Sequence, residues 1–242
     1  MSTNELLNLL REIQENEKEA ERLYSRYLEE LRDEEIVKAL RHILDEETRH
    51  VRLASEAVSL VKHGSAYLKI RNSLADFSES ATCFVSSGIE SYTRNSLAML
   101  EHLINERGMR CVYVAVNRPS TSLAEVYRRE DIDTEAITFI DCSTVEIGQP
   151  GITVVSPENL TDISMAIARH AERHPSKGFV YFDTVSALYI YHPSNMVERF
   201  IHNLIPRLKA VPIGLIMVII EEEVEQRVRA VLTAFSDIKI AF

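Results

Sequence analysis

Positions 6, 10, 13, 17, 20, 24, 27 and 31 step by three and four and carry Leu6, Leu10, Ile13, Glu17, Ala20, Tyr24, Tyr27 and Leu31. That is the period of a helix with one apolar face, and a single carboxylate interrupts it. Positions 36, 40, 43, 47, 50, 54, 57 and 61 repeat the pattern as Ile36, Leu40, Ile43, Glu47, His50, Ala54, Ala57 and Val61, broken this time by Glu47 and His50. Asp33 stands between the stripes as a helix N-cap, with Glu34 and Glu35 in the first turn, where the helix dipole favours negative charge. Ser2 and Glu5 have the spacing of a capping box, and Gly64, after Lys62 and His63, reads as a helix-ending glycine. The pattern predicts an antiparallel helical hairpin over residues 1–64 that turns near Arg32 and Asp33.

A polar connector follows over 65–80, ordered in part by Tyr67, Leu68, Ile70 and Phe77. From 81 to 242 apolar runs alternate with amphipathic ones. Strands are predicted at Thr82 to Ser86, Cys111 to Val116, Thr138 to Cys142, Phe179 to Phe182, Leu215 to Ile220 and Ile238 to Phe242. Helices are predicted at Ser91 to Arg107, Leu160 to His174, Met196 to Lys209 and Glu223 to Phe235. Apolar strands joined by amphipathic helices imply a parallel sheet covered on both faces. The expected fold class is therefore α plus α/β, a helical hairpin followed by a parallel α/β domain.

Composition narrows the function classes. A chain of 242 residues with 45% hydrophobic content can build a real core, and its formal charge of −10 argues against a general nucleic-acid surface. No apolar run reaches membrane-spanning length; Val211 to Ile220 contains Pro212 and Gly214 and reads as an inner strand. The first residues, Met-Ser-Thr-Asn-Glu, have no basic or apolar character, so no secretion signal is expected, and Cys83, Cys111 and Cys142 are odd in number and far apart. Buried, reduced thiols in a cytoplasmic protein are expected.

The chemistry lies in the polar breaks of the two stripes. Glu17 and Glu47 each fall about fifteen residues from the bend, so at 1.5 Å per residue both stand roughly 22 Å from it and face each other. Two facing carboxylates in an apolar seam each raise the cost of ionising the other, so something positive should neutralise them. Ion pairs with His50, Arg22 or Arg49 would do so, as would exposure of the seam to solvent, or a bound cation. The level match of the two carboxylates favours the cation, and His50, one turn from Glu47, completes a Glu-x-x-His unit. Glu21, His42 and Glu46 read as solvated groups nearby.

The run from Glu17 to Tyr24, followed by Asp45-Glu46-Glu47-Thr48-Arg49-His50, resembles the ferritin-like hairpin of rubrerythrins, most closely that of the encapsulated ferritins. The resemblance covers about residues 4 to 63. It implies that Glu17, Glu47 and His50 build half of a di-iron centre with Tyr24 beside it. One hairpin offers two carboxylates and one imidazole, whereas the di-iron site of a four-helix bundle takes four Glu and two His. A homodimer or higher even oligomer is therefore implied, each chain contributing half of the bundle.

The 81–242 region resembles the RecA-like ATPases of the circadian-clock type, with Cys83 to Gly108 as phosphate-loop strand and helix, Arg110 to Pro119 as the next strand, and Phe179 to Ala187, with Asp183, as the Walker B strand. Its loop, Ser86 to Thr93, departs from that pattern. A phosphate loop needs several glycines and a Lys-Ser/Thr pair, but here there is Gly88 alone, with Glu90 in place of a cation. An inactive ATPase is expected. Asp183 reads as a cap or turn residue that could alternatively bind a cation, and Glu221, Glu222 and Glu223 as the charged end of a strand entering a helix. His170 and His174, with His192 and His202, read as exposed groups rather than ligands.

Two classes of function follow. One is a di-iron ferroxidase or rubrerythrin-like oxidoreductase with the α/β domain as regulatory or scaffolding partner. The other is a non-catalytic assembly protein that dimerises through the hairpin and binds a protein through the α/β domain.

Overall fold

The computed structural model describes residues 2–142, 152–173 and 177–242. The chain divides into two compact units, Met1–Leu68 and Lys69–Phe242.

The first unit is dominated by α1 (Thr3–Glu30) and α2 (Glu34–His63). Local chemistry fixes both ends of each helix. Ser2 Oγ accepts from the Glu5 N–H at 3.2 Å while the Glu5 carboxylate accepts from the Ser2 N–H, closing a capping box. Asp33 Oδ1 accepts from the Glu35 and Ile36 N–H groups at 3.1 Å each and starts α2. Gly64, at φ +63°, ends it in a conformation that a side chain would oppose.

Contacts between α1 and α2 join rising positions on one helix to falling positions on the other. Gln14 bonds Ser55 at 2.8 Å, Glu17 lies 3.5 Å from His50, and Thr48 bonds Glu21 at 2.8 Å. The two helices are thus antiparallel where they touch. The less exposed row on α1 is Leu7, Leu10, Gln14, Glu17, Glu21, Tyr24 and Leu28, matched on α2 by Val37, Leu40, Leu44, Glu47 and Val51. Several members of the predicted stripes lie about a quarter turn away and are exposed instead: Ile13, Tyr27, Leu31, Ile36 and Ile43 at 36–48%. An apolar face wider than about 100° exceeds what one neighbouring helix can cover.

In the second unit the sheet has seven strands, all parallel: β1 (Thr82–Ser87), β2 (Arg110–Ala115), β3 (Ile137–Asp141), β4 (Thr153–Val154), β5 (Gly178–Asp183), β6 (Ile213–Ile220) and β7 (Ile238–Ala241). Their order across the sheet is β4-β3-β2-β5-β6-β1-β7. It is a Rossmann-like parallel α/β domain. All eight residues of β6 are buried, as a central parallel strand requires.

Side chains alternate between two cores. Phe84, Val112, Ile140, Phe182 and Met217 share one with Ile163, Ile201 and Val228 of the helices Leu160–Arg173, Ser194–Lys209 and Gln226–Ala234. Val85, Tyr113, Phe139, Tyr181 and Val218 share the other with Met99 of the helix Ile89–Leu100 and Leu123 of the helix Ser120–Arg129.

Three local expectations change. Residues 65–73, read as connector, are helical. The helix expected from Ser91 begins at Ile89 and continues as a π-helical turn, Glu101–Glu106. The helix Ser120–Arg129 was not foreseen; its first amide is held by the Asp141 carboxylate at 2.7 Å, a contact between distant segments that no local spacing reveals. No helix among the described residues is long and apolar enough to cross a membrane.

Candidate functional site

On α1 and α2 the three predicted ligands come together. His50 Nδ1 stands 3.5 Å from Glu17 Oε2 and 3.6 Å from Glu47 Oε2, and one donor atom from each residue lies within 4.8 Å of the others. The Glu47 and Glu17 side chains are 19% and 28% exposed, and that of His50 is 44% exposed. The trio is therefore half-open to water within one chain. The distances suit ion pairing and exceed a good hydrogen bond. Arg49 pairs with Glu46 instead, and Glu21 accepts the Thr48 hydroxyl one turn along from Glu17. Tyr24 is half-buried two turns along α1 from Glu17.

The second location is the carboxyl edge of the sheet, where open parallel sheets bind their ligands. The loop leaving β1 passes Ser86, Ser87 and Gly88 into the helix at Ile89. Its hydroxyls are tied internally: Asn95 Nδ2 donates to Ser87 Oγ at 2.9 Å, and Ser87 Oγ lies 3.0 Å from Ser91 Oγ. The exposed amide of that helix start is occupied. Ile89 N–H donates to the Glu222 carboxylate, with N···O distances of 3.2 and 3.4 Å. A Cβ on Gly88 would sit 3.3 Å from Glu222 Oε1, so the glycine leaves room for this carboxylate.

Glu222 belongs to a tight turn, Glu221–Glu223, that follows β6. The sequence reading placed these three charges at the start of their own following helix; they bind other elements. Glu221 Oε1 accepts the Ser86 hydroxyl at 2.7 Å, and Glu223 Oε2 accepts the Ser186 hydroxyl at 2.7 Å. Sequence spacing could not show this contact. The available signal was topological, since an acidic run and the β1 loop both close the same edge of a parallel sheet.

Asp183, at the end of β5, is 2% exposed and accepts a hydrogen bond from the Tyr113 hydroxyl, which itself accepts from Tyr127 at 2.7 Å. Among the described residues its Oδ1 has no partner. Burial pushes its carboxyl up to about 8, which favours the neutral form. It is a buried hydrogen-bond acceptor, not the turn cap anticipated.

The histidines set aside above differ from one another. His170 is buried, with Nε2 2.8 Å from Thr153 Oγ1, and His192 is buried beside the Pro157 carbonyl at 2.9 Å. Neither is the exposed group expected. His202 meets the Phe235 ring edge-on, and His174 lies outside the described residues. All three cysteines are buried, and burial pushes the Cys83 and Cys142 thiols up to about 12.

No curated protein matches the chain. Among solved structures, an uncharacterized protein from Pyrococcus horikoshii, crystallised in complex with an unknown peptide, is similar with a TM-score of 0.53 at 10% identity, over 67% of this chain and 77% of that one. At that identity the likeness concerns the fold. Residues 86–242 match the model of a family of unknown function, DUF7504, and the chain belongs to that family.

Proposed function

We propose that two copies of this DUF7504 protein pair through α1 and α2 as half-bundles and hold a di-iron centre with ferroxidase or rubrerythrin-like activity, the α/β unit serving as an ATPase-inactive regulatory or scaffolding partner. The observation that carries this reading is one juxtaposition. Glu17, Glu47 and His50 bring donor atoms within 4.8 Å on two helices that also leave the apolar Ile13, Tyr27, Leu31, Ile36 and Ile43 exposed.

The donor set fits the metal. Carboxylate oxygens and an imidazole nitrogen suit iron, and four carboxylates from two chains balance two divalent cations. Glu17 and Glu47 would hold and neutralise the cations, and His50 would offer a ring nitrogen on the same face. The apolar residues flanking the trio exclude water once a second copy covers them, which strengthens the electrostatics at the ligands. Tyr24 stands on the same side of α1 as Glu17. Bound iron supplies the electrons for reducing oxygen or peroxide.

For the RecA-like half of the proposal, support comes from the sheet. Only β6 separates β1 from β5, so the loop after Ser87 and the loop after Asp183 open on one edge, as the resemblance requires of the phosphate-loop and Walker B strands. The lone Gly88, and Glu222 at the helix start, support inactivity.

A second reading has one observation in its favour: the Pyrococcus protein of similar fold was crystallised with a peptide, which suits a non-catalytic chain that dimerises by its helices and binds a protein through the α/β unit. Elemental analysis of protein purified without chelator, before and after Fe(II) addition under air, separates the two. The iron reading expects two irons per pair of chains and Fe(II) oxidation, both lost in Glu47→Ala. Less than one metal per pair, with no gain on Fe(II) addition, selects the second reading.

A further inference from the structure

The Glu221–Glu223 turn sends three consecutive carboxylates to three different elements. Glu221 takes the Ser86 hydroxyl at the end of β1, Glu222 takes the first amide of the following helix, and Glu223 takes the Ser186 hydroxyl in the segment after β5. Ser86 and Ser186 are 5% and 3% exposed, so two of these bonds run from buried hydroxyls to carboxylates nearer the surface. Ser186 Oγ in turn accepts from the Thr184 hydroxyl at 3.0 Å, and Thr184 Oγ1 accepts from the Asn117 amide at 3.0 Å. Arg229 Nη1, 3.8 Å from Glu221, is a cation facing this turn. The turn spans the carboxyl ends of β1, β6 and β5.

Those positions are where a parallel sheet offers a ligand its polar contacts. A free helix N-terminus attracts an anion because its first amides lack partners and its dipole end is positive. Here a carboxylate of the chain itself meets that amide, and Gly88 has no side chain to push it away. Hydrogen bonds from neutral donors to an ionised acceptor are among the stronger ones, so the three act together as a clasp.

We propose that the Glu221–Glu223 turn is an internal plug: Glu222 occupies the anion position of the β1 loop, and Glu221 and Glu223 lock the turn across the crevice, closing the site to phosphate-bearing ligands. This inference rests on the reading of the β1 loop as a modified phosphate loop. It adds a cause for inactivity that glycine and lysine loss alone does not supply. Removing the plug opens an anion site that the natural chain does not have.

The test uses the full chain, its Glu222→Ala and Glu222→Gln variants, and inorganic phosphate as probe. Hydrogen exchange in a peptide containing Ile89 reports the plug directly. The Ile89 amide is protected in the wild type without phosphate, exchanges at least tenfold faster in Glu222→Ala, and regains protection when phosphate replaces chloride at equal ionic strength. The Ala variant melts about 4 °C lower, and phosphate restores part of the loss. Glu222→Gln, which keeps the shape without the charge, serves if the Ala variant does not fold. Exchange of Ile89 in the wild type at the rate of an open amide overturns the plug without any variant. Equal exchange in the wild type and both variants overturns it too. Those two results leave the inactive-domain reading standing, whereas saturable ATP·Mg binding by the wild type overturns both.

Discussion

The two units of this chain carry their polar residues in opposite ways. In the α/β unit the polar groups at the strand ends are bonded to one another: Glu221 to Ser86, Glu222 to Ile89, Glu223 to Ser186 and Tyr113 to Asp183. On α1 and α2 the ligand-type side chains stand 3.5 and 3.6 Å apart, close but not hydrogen-bonded, and Leu9, Ile13, Tyr27, Ile36 and Ile43 of the same helices stay exposed. The first set ranges from buried Ser86, Ser186 and Asp183 to the exposed carboxylates of Glu222 and Glu223, and the second lies in a half-covered seam. Convergent polar groups bonded to one another offer a ligand fewer free contacts than groups held short of one another, and on the proposed function the latter take a cation and a second copy.

The largest effect expected from breaking this contrast is on the open face. Ile43→Glu places a charge among the exposed apolar residues of α1 and α2 that a second copy would cover on the proposed pairing. On the proposed pairing the wild type should be a dimer by light scattering and the variant a monomer at the same concentration, and the variant should bind less than a tenth of the wild-type iron. A dimer that survives Ile43→Glu with full iron loading would show that pairing uses another surface. Because an obligate pair gains stability by mass action, the wild-type melting temperature of the helical unit should also rise with protein concentration, and that of Ile43→Glu should not.

The next effect falls on the closed unit. Phe182 is fully buried and packs edge-on against Phe200 at 6.0 Å between ring centroids. Phe182→Ala should destabilise the α/β unit by about 3–5 kcal/mol, from lost transfer energy and the cavity left behind. Urea unfolding followed separately for each unit checks the contrast. Iron uptake should persist after the α/β unit has unfolded, and a loss of iron together with that unit at low urea in this variant would mean that the units depend on each other.

These two predictions rest on features that were unequally legible in the residues. The helix ends were written locally: Ser2 with Glu5, Asp33 with its two following amides, and Gly64 are short-range devices, and each sits where its spacing put it. Long buried strands such as β6 were also legible, because a central parallel strand needs an unbroken apolar run. The Glu17, Glu47 and His50 cluster followed from counting residues to a turn. What periodicity could not supply was the width of the apolar face. A step of three and four marks a face but not how much of it one neighbour covers, so Ile36 and Ile43 were read as buried and are exposed. Glu222 was illegible for a different reason: its partner amide is 133 positions away, and only the strand order brings the two together. His170 followed the same logic, since its partner Thr153 lies on another element.

A smaller effect sharpens the account of Asp183. Its folded pKa, about 8, lies above the ordinary carboxylate value of about 3.9, so the folded state holds a proton that the unfolded chain releases. The sign follows. This contribution to stability is complete below pH 4, declines as pH rises between roughly 4 and 8, and is gone above, with a limiting slope of about 1.4 kcal/mol per pH unit for one proton. Asp183→Asn cannot titrate, so its stability relative to the wild type should improve as pH rises from 5 to 8. Urea unfolding of the α/β unit at several pH values measures the difference. A gap between the two proteins that stays flat over that range would place the ionised carboxylate in the folded wild type.

The smallest effect returns to the helices and asks whether their local devices matter once the face is covered. Asp33 supplies two hydrogen bonds to the first amides of α2, at 3.1 Å each, in the turn that joins α1 to α2. Asp33→Ala should cost about 1 kcal/mol, the usual worth of a capping side chain. In the monomeric Ile43→Glu background that cost should appear fully as local fraying of α2, seen as faster hydrogen exchange over residues 34–38. In the wild type, pairing and iron should hold the same turn in place, so exchange there should change less. If the cap loss is equal in both backgrounds, the paired and metal-loaded state adds nothing to the order of that turn. The incompleteness attributed to the helical unit would then stop short of its bend and be confined to the neighbourhood of Glu17, Glu47 and His50.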